Sequence, residues 1–200
     1  MKRIGFYLAL LCLAGAALAM VRDPQSTAQS STSQQGTTYY VSLIVYQLQH
    51  KPTISAAFIH LVLVTAHSSA ANDSQALYDL GMQSGIDPVY ALAFFHHESD
   101  YGTTGEARVT HSLGNERCIT DRPCIDRDRG GYALMRSWVD GFQHWYDLIL
   151  NLYIRQWHLV TLDQIIPRYA PVDDGNNVQG YIGAVEQDVV TWRAESQASV

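Results

Sequence analysis

The chain has 200 residues, of which 47% are apolar, and 13 Lys and Arg against 19 Asp and Glu give a net charge of −6. This apolar content supports a packed core, and the dense apolar stretch from Pro52 to about Trp192 suits one domain. The acidic balance without a basic patch argues against a nucleic-acid partner.

The first nineteen residues have the features of a secretory signal peptide. A basic start at Lys2 and Arg3 precedes an apolar run that closes on Ala-Leu-Ala at 17–19. This pattern predicts cleavage near Ala19, and therefore a secreted or cell-envelope protein. The alternative is a leader retained as an N-terminal membrane anchor.

The next segment, 20–51, is predicted to precede the folded domain. Residues 20–38 are rich in Ser, Thr and Gln, which predicts a flexible tether. The β-prone sequence "YYVSLIVYQLQ" at 39–49 predicts a short strand or an extended arm. The domain itself is then expected to span 52–200.

Helical periodicity runs through nearly all of this domain, which predicts an all-α fold with a central loop and small hairpin region at 100–135. Six helices follow from the apolar spacing and the capping residues. They are a helix over 53–65 capped by Thr53 or Ser55, one capped by Asn72 or Asp73 and ended by Gly85, one opened by Asp87-Pro88, one beginning at Ser137, one with a Thr161–Gln164 capping box stopped by Pro167, and a last one beginning near Asn176.

Two cysteines of the predicted mature chain lie in the central loop. Cys118 and Cys124 are separated by five residues, and the third cysteine, Cys12, would leave with the leader. In an exported protein this pattern favours a disulfide, whereas two thiols without a second pair make a weak metal site.

The strongest candidate for chemistry is Glu98, which follows the apolar run "YALAFF". A helix over 88–99 would be apolar on every face and therefore buried, and Glu98 would emerge one turn after Phe94. Desolvation and the negative end of the helix would both raise the pKa of its carboxyl, as a general acid requires. Gly102 is predicted to end this helix, and the simpler alternative is a surface glutamate on its last turn.

A metal site is not expected, although His96 and His97 adjoin Glu98. The H-E-x-x-H motif of zinc proteases needs histidine at position 101, where this chain has Tyr101. Adjacent histidines on a helix point about 100° apart and do not share one ion easily. We expect no diffusible cofactor either, and His97 becomes a candidate for binding sugar hydroxyls.

Four blocks in this order resemble the glucosaminidase (mannosyl-glycoprotein endo-β-N-acetylglucosaminidase-like) domain of the lysozyme-like superfamily, over about 52–193. The first block, "ALAFFHHESDYGTTG", resembles the helix of that family that carries its Glu-Ser pair. The others are "THSLGN" at 110–115, "GYALMRSWVDGF" at 131–142 and "YAPVDDGNNVQGYIGAVEQDVVTW" at 169–192.

The resemblance implies a lysozyme-like fold and cleavage of β-1,4 linkages between amino sugars in peptidoglycan. It implies that Glu98 protonates the leaving glycosidic oxygen, and that Tyr169 lies near Glu98 and orients substrate or polarises a water. It further implies a groove floor made by Ser112, Leu113, Gly114 and Asn115, with Tyr132 and Tyr181 lining or supporting the groove. For the last two tyrosines, core packing is the alternative.

The departures from the family leave the reaction open. Glycoside hydrolysis usually needs two carboxylates, and the second is not identifiable here. Glu116 is the weakly favoured one of six acidic residues in the right region, the others being Asp100, Glu106, Asp121, Asp126 and Asp128. A lytic transglycosylase with one glutamate is therefore an alternative to a hydrolase, and a non-catalytic glycan-binding module is another.

Overall fold

The computed structural model describes residues 46–198. The predicted signal peptide, the tether and residues 39–45 lie outside the described residues. Within them the fold is all-α with one small antiparallel hairpin in the central loop, as predicted. The helices are α1 (Ala56–Thr65), α2 (Ser74–Ser84), α3 (Pro88–Ser99), α4 (Ala107–Thr110), α5 (Trp138–Asp147), α6 (Leu162–Tyr169) and α7 (Val178–Ala198), and the strands are β1 (Cys124–Ile125) and β2 (Tyr132–Ala133). No helix in this part of the chain is long and apolar enough to cross a membrane.

Helix α3 lies in the middle of the core, where it contacts α2, α5 and α7. All eight residues from Pro88 to Phe95 are buried, which confirms the prediction from the apolar run. A helix that is apolar on every face removes its apolar surface from water only when it is buried on all sides. Its last turn, which carries Glu98, is the part that reaches the surface.

The start of α3 is fixed by Asp87 and Pro88, as the sequence predicts. Asp87 Oδ1 accepts a hydrogen bond from the amide of Val89 at 3.2 Å, and Pro88 occupies the first turn. The carboxylate of Asp87 is fully buried and also binds Thr53 and Arg193. Through these bonds α3 is tied to the chain before α1 and to α7.

The end of α3 differs from the prediction that Gly102 ends it. The helix ends at Ser99, and Asp100 and Tyr101 already have left-handed backbones with φ of 48° and 57°. The Ser99 hydroxyl accepts a hydrogen bond from the Gly102 amide at 2.9 Å. Position 102, just after this turn, still requires glycine, because its φ is 74° and any Cβ there would collide with the ring of Trp138.

The core begins before the predicted domain boundary at residue 52. Tyr46 and Leu48 are buried in it, and the chain here makes isolated β-bridges from Gln47 to Thr161 and from Gln49 to Ile86. The described end of the predicted arm is therefore part of the domain, as alternating burial along an extended segment allows.

The hairpin is held by the predicted disulfide. Cys118 and Cys124 are bonded with their Cα atoms 5.2 Å apart, and β1 pairs with β2 in the register Cys124 to Ala133. The amide of Ala133 also donates to the carbonyl of Glu116 at 3.0 Å. Covalent and hydrogen-bonded links thus fix the residues just before Cys118 against strand β2.

Two features of the C-terminal half were not predicted. Helix α5, capped by Ser137 as expected, continues into a π-helical segment at Leu148–Gln156. The prediction that Pro167 stops the next helix is wrong, because α6 continues to Tyr169. Proline removes only one backbone hydrogen bond there, while Ile165 and Ile166 remain buried and the Thr161 capping box holds the start.

Candidate functional site

A groove of about 720 Å³ opens beside the last turn of α3. Its wall includes the end of α3, the loop after α4, the hairpin, α5 and the first turn of α7. It gathers nine of the ten candidate glycan-site residues: His97, Glu98, Ser112, Gly114, Asn115, Glu116, Tyr132, Tyr169 and Tyr181. The tenth, Leu113, is fully buried in the core.

The Glu98 carboxyl is held by one donor on each oxygen. Tyr181 donates its phenolic O–H to Oε1 at 2.5 Å, and Asn115 donates its amide to Oε2 at 3.2 Å. The same Asn115 amide donates to the Glu98 carbonyl at 2.8 Å, which caps the end of the helix. These contacts fix the direction in which the carboxyl enters the groove.

Burial raises the pKa of the Glu98 carboxyl above its usual value, and the hydrogen bonds from Tyr181 and Asn115 partly oppose this rise. The net rise extends the pH range over which the carboxyl keeps a proton that it can give away. Once the proton has left, the same two donors stabilise the anion. A partly buried acid whose anion accepts two hydrogen bonds can lose and regain its proton repeatedly.

We predict that Tyr181→Phe raises the pKa of Glu98 further. The substitution keeps the ring that packs on Phe94 and His97 but removes the hydrogen bond that favours the anion. Titration of the Glu98 side-chain carboxyl by ¹³C NMR in both proteins measures the shift. An unchanged or lower pKa in the variant would mean that the Tyr181 hydroxyl does not tune this group.

Aromatic rings form the base on which the site rests. The Phe94 ring lies 5.2 Å from that of Trp145, 5.1 Å from Tyr169 and 5.6 Å from Tyr181, between ring centroids. Because Glu98 follows Phe94 by one turn, its carboxyl emerges directly over this cluster. The packing explains both the desolvation of Glu98 and the rigidity of its surroundings.

Tyr169 was expected to act beside Glu98, and it does lie near that carboxylate. Burial, followed by the charge of Glu98, raises the pKa of Tyr169 well above its usual value. Its hydroxyl donates to the carbonyl of Gly114 at 3.3 Å, while Tyr181 makes the direct bond to Glu98. A side chain at Gly114 would collide with the Tyr169 hydroxyl, so this position requires glycine.

The turn at 112–116 forms one side of the groove. The buried Ser112 hydroxyl accepts a hydrogen bond from the Glu116 amide at 2.9 Å, so it shapes the turn. Asn115 has a left-handed backbone with φ of 48°, a conformation that asparagine tolerates better than most residues. This strained position is what brings its amide to Glu98 across 17 residues of sequence.

Glu116 lines the groove and is paired with His144 of α5. The distance from His144 Nδ1 to Glu116 Oε2 is 2.9 Å, and this carboxylate raises the pKa of the imidazole. The ion pair is therefore held below that raised pKa and weakens as the pH increases through it. The weakly favoured second carboxylate is thus in the groove, with one oxygen close to a histidine.

The two histidines beside Glu98 make separate contacts. His96 Nδ1 lies 2.6 Å from the carboxylate of Asp188 on α7, whereas the exposed His97 packs on the Tyr181 ring with centroids 3.7 Å apart. Partial desolvation by the groups packed around the ring lowers the pKa of His97, which favours its neutral form. In the described part of the chain, no group of three or more His, Cys, Asp or Glu residues is arranged to hold a metal ion.

Several groove residues were not predicted as site residues. Apolar spacing indicated that Trp145 is buried but not that it borders a groove, and nothing local marked the acidic or basic members. They are Arg117, Trp145, Leu148, Tyr153, Asp174 and Asn176, together with Gly105, Gly141 and Ala170; Glu106, which also lines the groove, was among the candidates for a second carboxylate.

No protein-family model and no curated protein matches this chain. The resemblance to glucosaminidases therefore rests on the four sequence blocks alone.

Proposed function

We propose that this protein is an exported glycosidase that cleaves β-1,4 linkages between amino sugars of peptidoglycan, with Glu98 as the general acid. The observation that carries the proposal is the Glu98 carboxyl itself. It enters a groove, its pKa is raised by burial, and Tyr181 and Asn115 are ready to stabilise the anion that remains after proton transfer. The family resemblance supplies the substrate class.

The chemistry begins with transfer of the Glu98 proton to the glycosidic oxygen, which lets the leaving sugar depart from an oxocarbenium-like transition state. The anomeric carbon must then accept an oxygen nucleophile. In a hydrolase this is water, for which Glu116 is the candidate base. In a lytic transglycosylase it is the C6 hydroxyl of the same sugar, whose proton passes to the Glu98 carboxylate as the bond to the anomeric carbon forms, and the product carries a 1,6-anhydro end.

One observation favours the transglycosylase as a second candidate. Among the groove carboxylates, Glu116 has an oxygen 2.9 Å from His144 Nδ1, and Glu106 forms an ion pair with Arg129 at 3.0 Å. Glu98 differs from both, because within the described chain its oxygens accept hydrogen bonds only from the neutral Tyr181 and Asn115. A reaction that relies on this one glutamate is that of a lytic transglycosylase.

The disulfide and the predicted leader support an extracytoplasmic location.

Incubation of the purified protein with purified peptidoglycan tests the activity, and mass spectrometry of released fragments tests its type. Reducing ends indicate hydrolysis, and 1,6-anhydro ends indicate transglycosylation. Binding to peptidoglycan without release of fragments at any pH would instead identify a non-catalytic glycan-binding module.

A further inference from the structure

We propose that Arg117 binds a carboxylate of the peptide stem of peptidoglycan, and so selects peptide-bearing glycan over an uncharged amino-sugar polymer. This inference rests on the proposed function and names a feature of the substrate that the groove recognises. It is carried by the position of one guanidinium group at the hairpin end of the groove.

Charge makes this residue unusual within the groove. Among the described residues that line it, Arg117 is the one lysine or arginine, beside the carboxyl groups of Glu98, Glu106, Glu116 and Asp174. Glu106 and Glu116 are paired with Arg129 and His144, so their charges are partly neutralised. Among the described lining residues, Arg117 is therefore the cation that remains for an anionic substituent of the substrate.

The guanidinium of Arg117 is available for such a contact. Within the described chain, no carboxylate oxygen lies within 4.0 Å of it, whereas the neighbouring Arg129 is engaged by both Glu106 and Asp126. Among the described residues, its one acceptor is the carbonyl of Arg129, at a long 3.5 Å. Most of its donors remain to be satisfied by solvent or by a ligand.

The same group is also held in place. Its central carbon lies 4.7 Å from the centre of the Tyr132 ring, in cation–π geometry. The backbone of Arg117 bridges to Tyr132, and the next residue, Cys118, is bonded to Cys124. Because these contacts already restrict the guanidinium, it loses little conformational freedom when it binds a ligand. Its planar group of N–H donors can form two parallel hydrogen bonds with a carboxylate.

The test compares two substrates that differ only in this charge. One is native peptidoglycan, and the other is the same material with its carboxyl groups converted to methylamides by carbodiimide coupling. Initial rates at low substrate concentration are measured for the wild type, Arg117→Gln and Arg117→Lys. Arg155→Gln is the matched control, because Arg155 is exposed and lies outside the groove.

We expect Arg117→Gln to lower kcat/KM about three- to tenfold on native peptidoglycan, and to have no effect on the amidated material. The kcat/KM of Arg117→Lys on native peptidoglycan should lie between those of the wild type and Arg117→Gln. The difference in kcat/KM between the wild type and Arg117→Gln on this substrate should shrink at high salt. Circular dichroism and thermal unfolding establish that each variant is folded.

Equal rates of wild type and Arg117→Gln on native peptidoglycan would overturn the inference while leaving the glycosidase intact. An equal loss on both substrates would also overturn it, because the residue would then act without the carboxylate.

If the wild type cleaves neither substrate, the proposed function fails, and sedimentation with the two materials decides the binding role. Loss of binding in Arg117→Gln on native material alone then supports the inference, and unchanged binding overturns it.

Discussion

Glu98→Gln is expected to lower kcat on peptidoglycan by about 10² to 10⁴, the range typical of losing a general acid. Glutamine keeps the size and polarity of the side chain but has no proton of suitable acidity. The glutamine oxygen can still accept from the Asn115 amide, and its nitrogen can donate to the Tyr181 hydroxyl, which accepts as well as donates. We therefore expect the variant to fold.

Release of soluble fragments from purified peptidoglycan measures the loss, and Glu186→Gln provides the control. Glu186 undergoes the same chemical change on α7, away from the groove, and should retain wild-type activity. If Glu98→Gln and the wild type release fragments at the same rate, Glu98 is not the acid.

The same variant should also change how stability depends on pH. A raised folded-state pKa means that the unfolded chain ionises Glu98 first, near 4.5, so wild-type stability declines as the pH rises from there through the raised value. Glu98→Gln lacks this decline. Urea denaturation across that window should show the variant gaining stability relative to the wild type, and parallel curves would contradict the raised pKa.

The second large effect concerns folding. Asp87→Ala is expected to lower the free energy of unfolding by about 2–4 kcal/mol, because it removes the cap of α3 and leaves the Thr53 hydroxyl and the half-buried Arg193 without their carboxylate partner. The fully buried carboxylate binds the Thr53 hydroxyl at 2.6 Å and Arg193 at 3.1 Å. For a domain of this size the melting temperature should fall by about 10 °C.

Asp87→Asn is the matched control, since it keeps the size of the side chain and one carbonyl acceptor for the Val89 amide. Its loss should be smaller than that of Asp87→Ala, and chemical denaturation measures both. A loss below about 1 kcal/mol for Asp87→Ala would show that this network contributes little to stability.

Local signals accounted well for the helices. Asp87-Pro88, Ser137 and the Thr161–Gln164 pair each act within one turn of chain, and each caps its helix in the structure. Burial of α3 followed equally directly from its unbroken apolar run. Pro167 was misjudged because the tertiary burial of its neighbours outweighs the one hydrogen bond that it removes.

The site depended on contacts that no local pattern contains. Tyr181 reaches Glu98 across 83 residues, and Asn115 does so across 17. Apolar spacing placed Tyr181 on the buried stripe of α7, but only the packing of α7 against α3 directs its hydroxyl to the carboxyl. The pairing of Glu116 with His144 likewise depends on how the central loop folds onto α5.

The role of Glu98 as a protonated acid is tested most directly by comparing two titrations of the wild type. One is the pH dependence of kcat/KM on soluble peptidoglycan fragments, which reports ionisations of the free enzyme. The other is the Glu98 carboxyl itself, followed by ¹³C NMR. We predict that activity declines with rising pH at the same midpoint at which Glu98 ionises, and that this midpoint lies above 4.5. Activity that persists unchanged after Glu98 has ionised, or a Glu98 pKa at or below 4.5, would contradict the proposal.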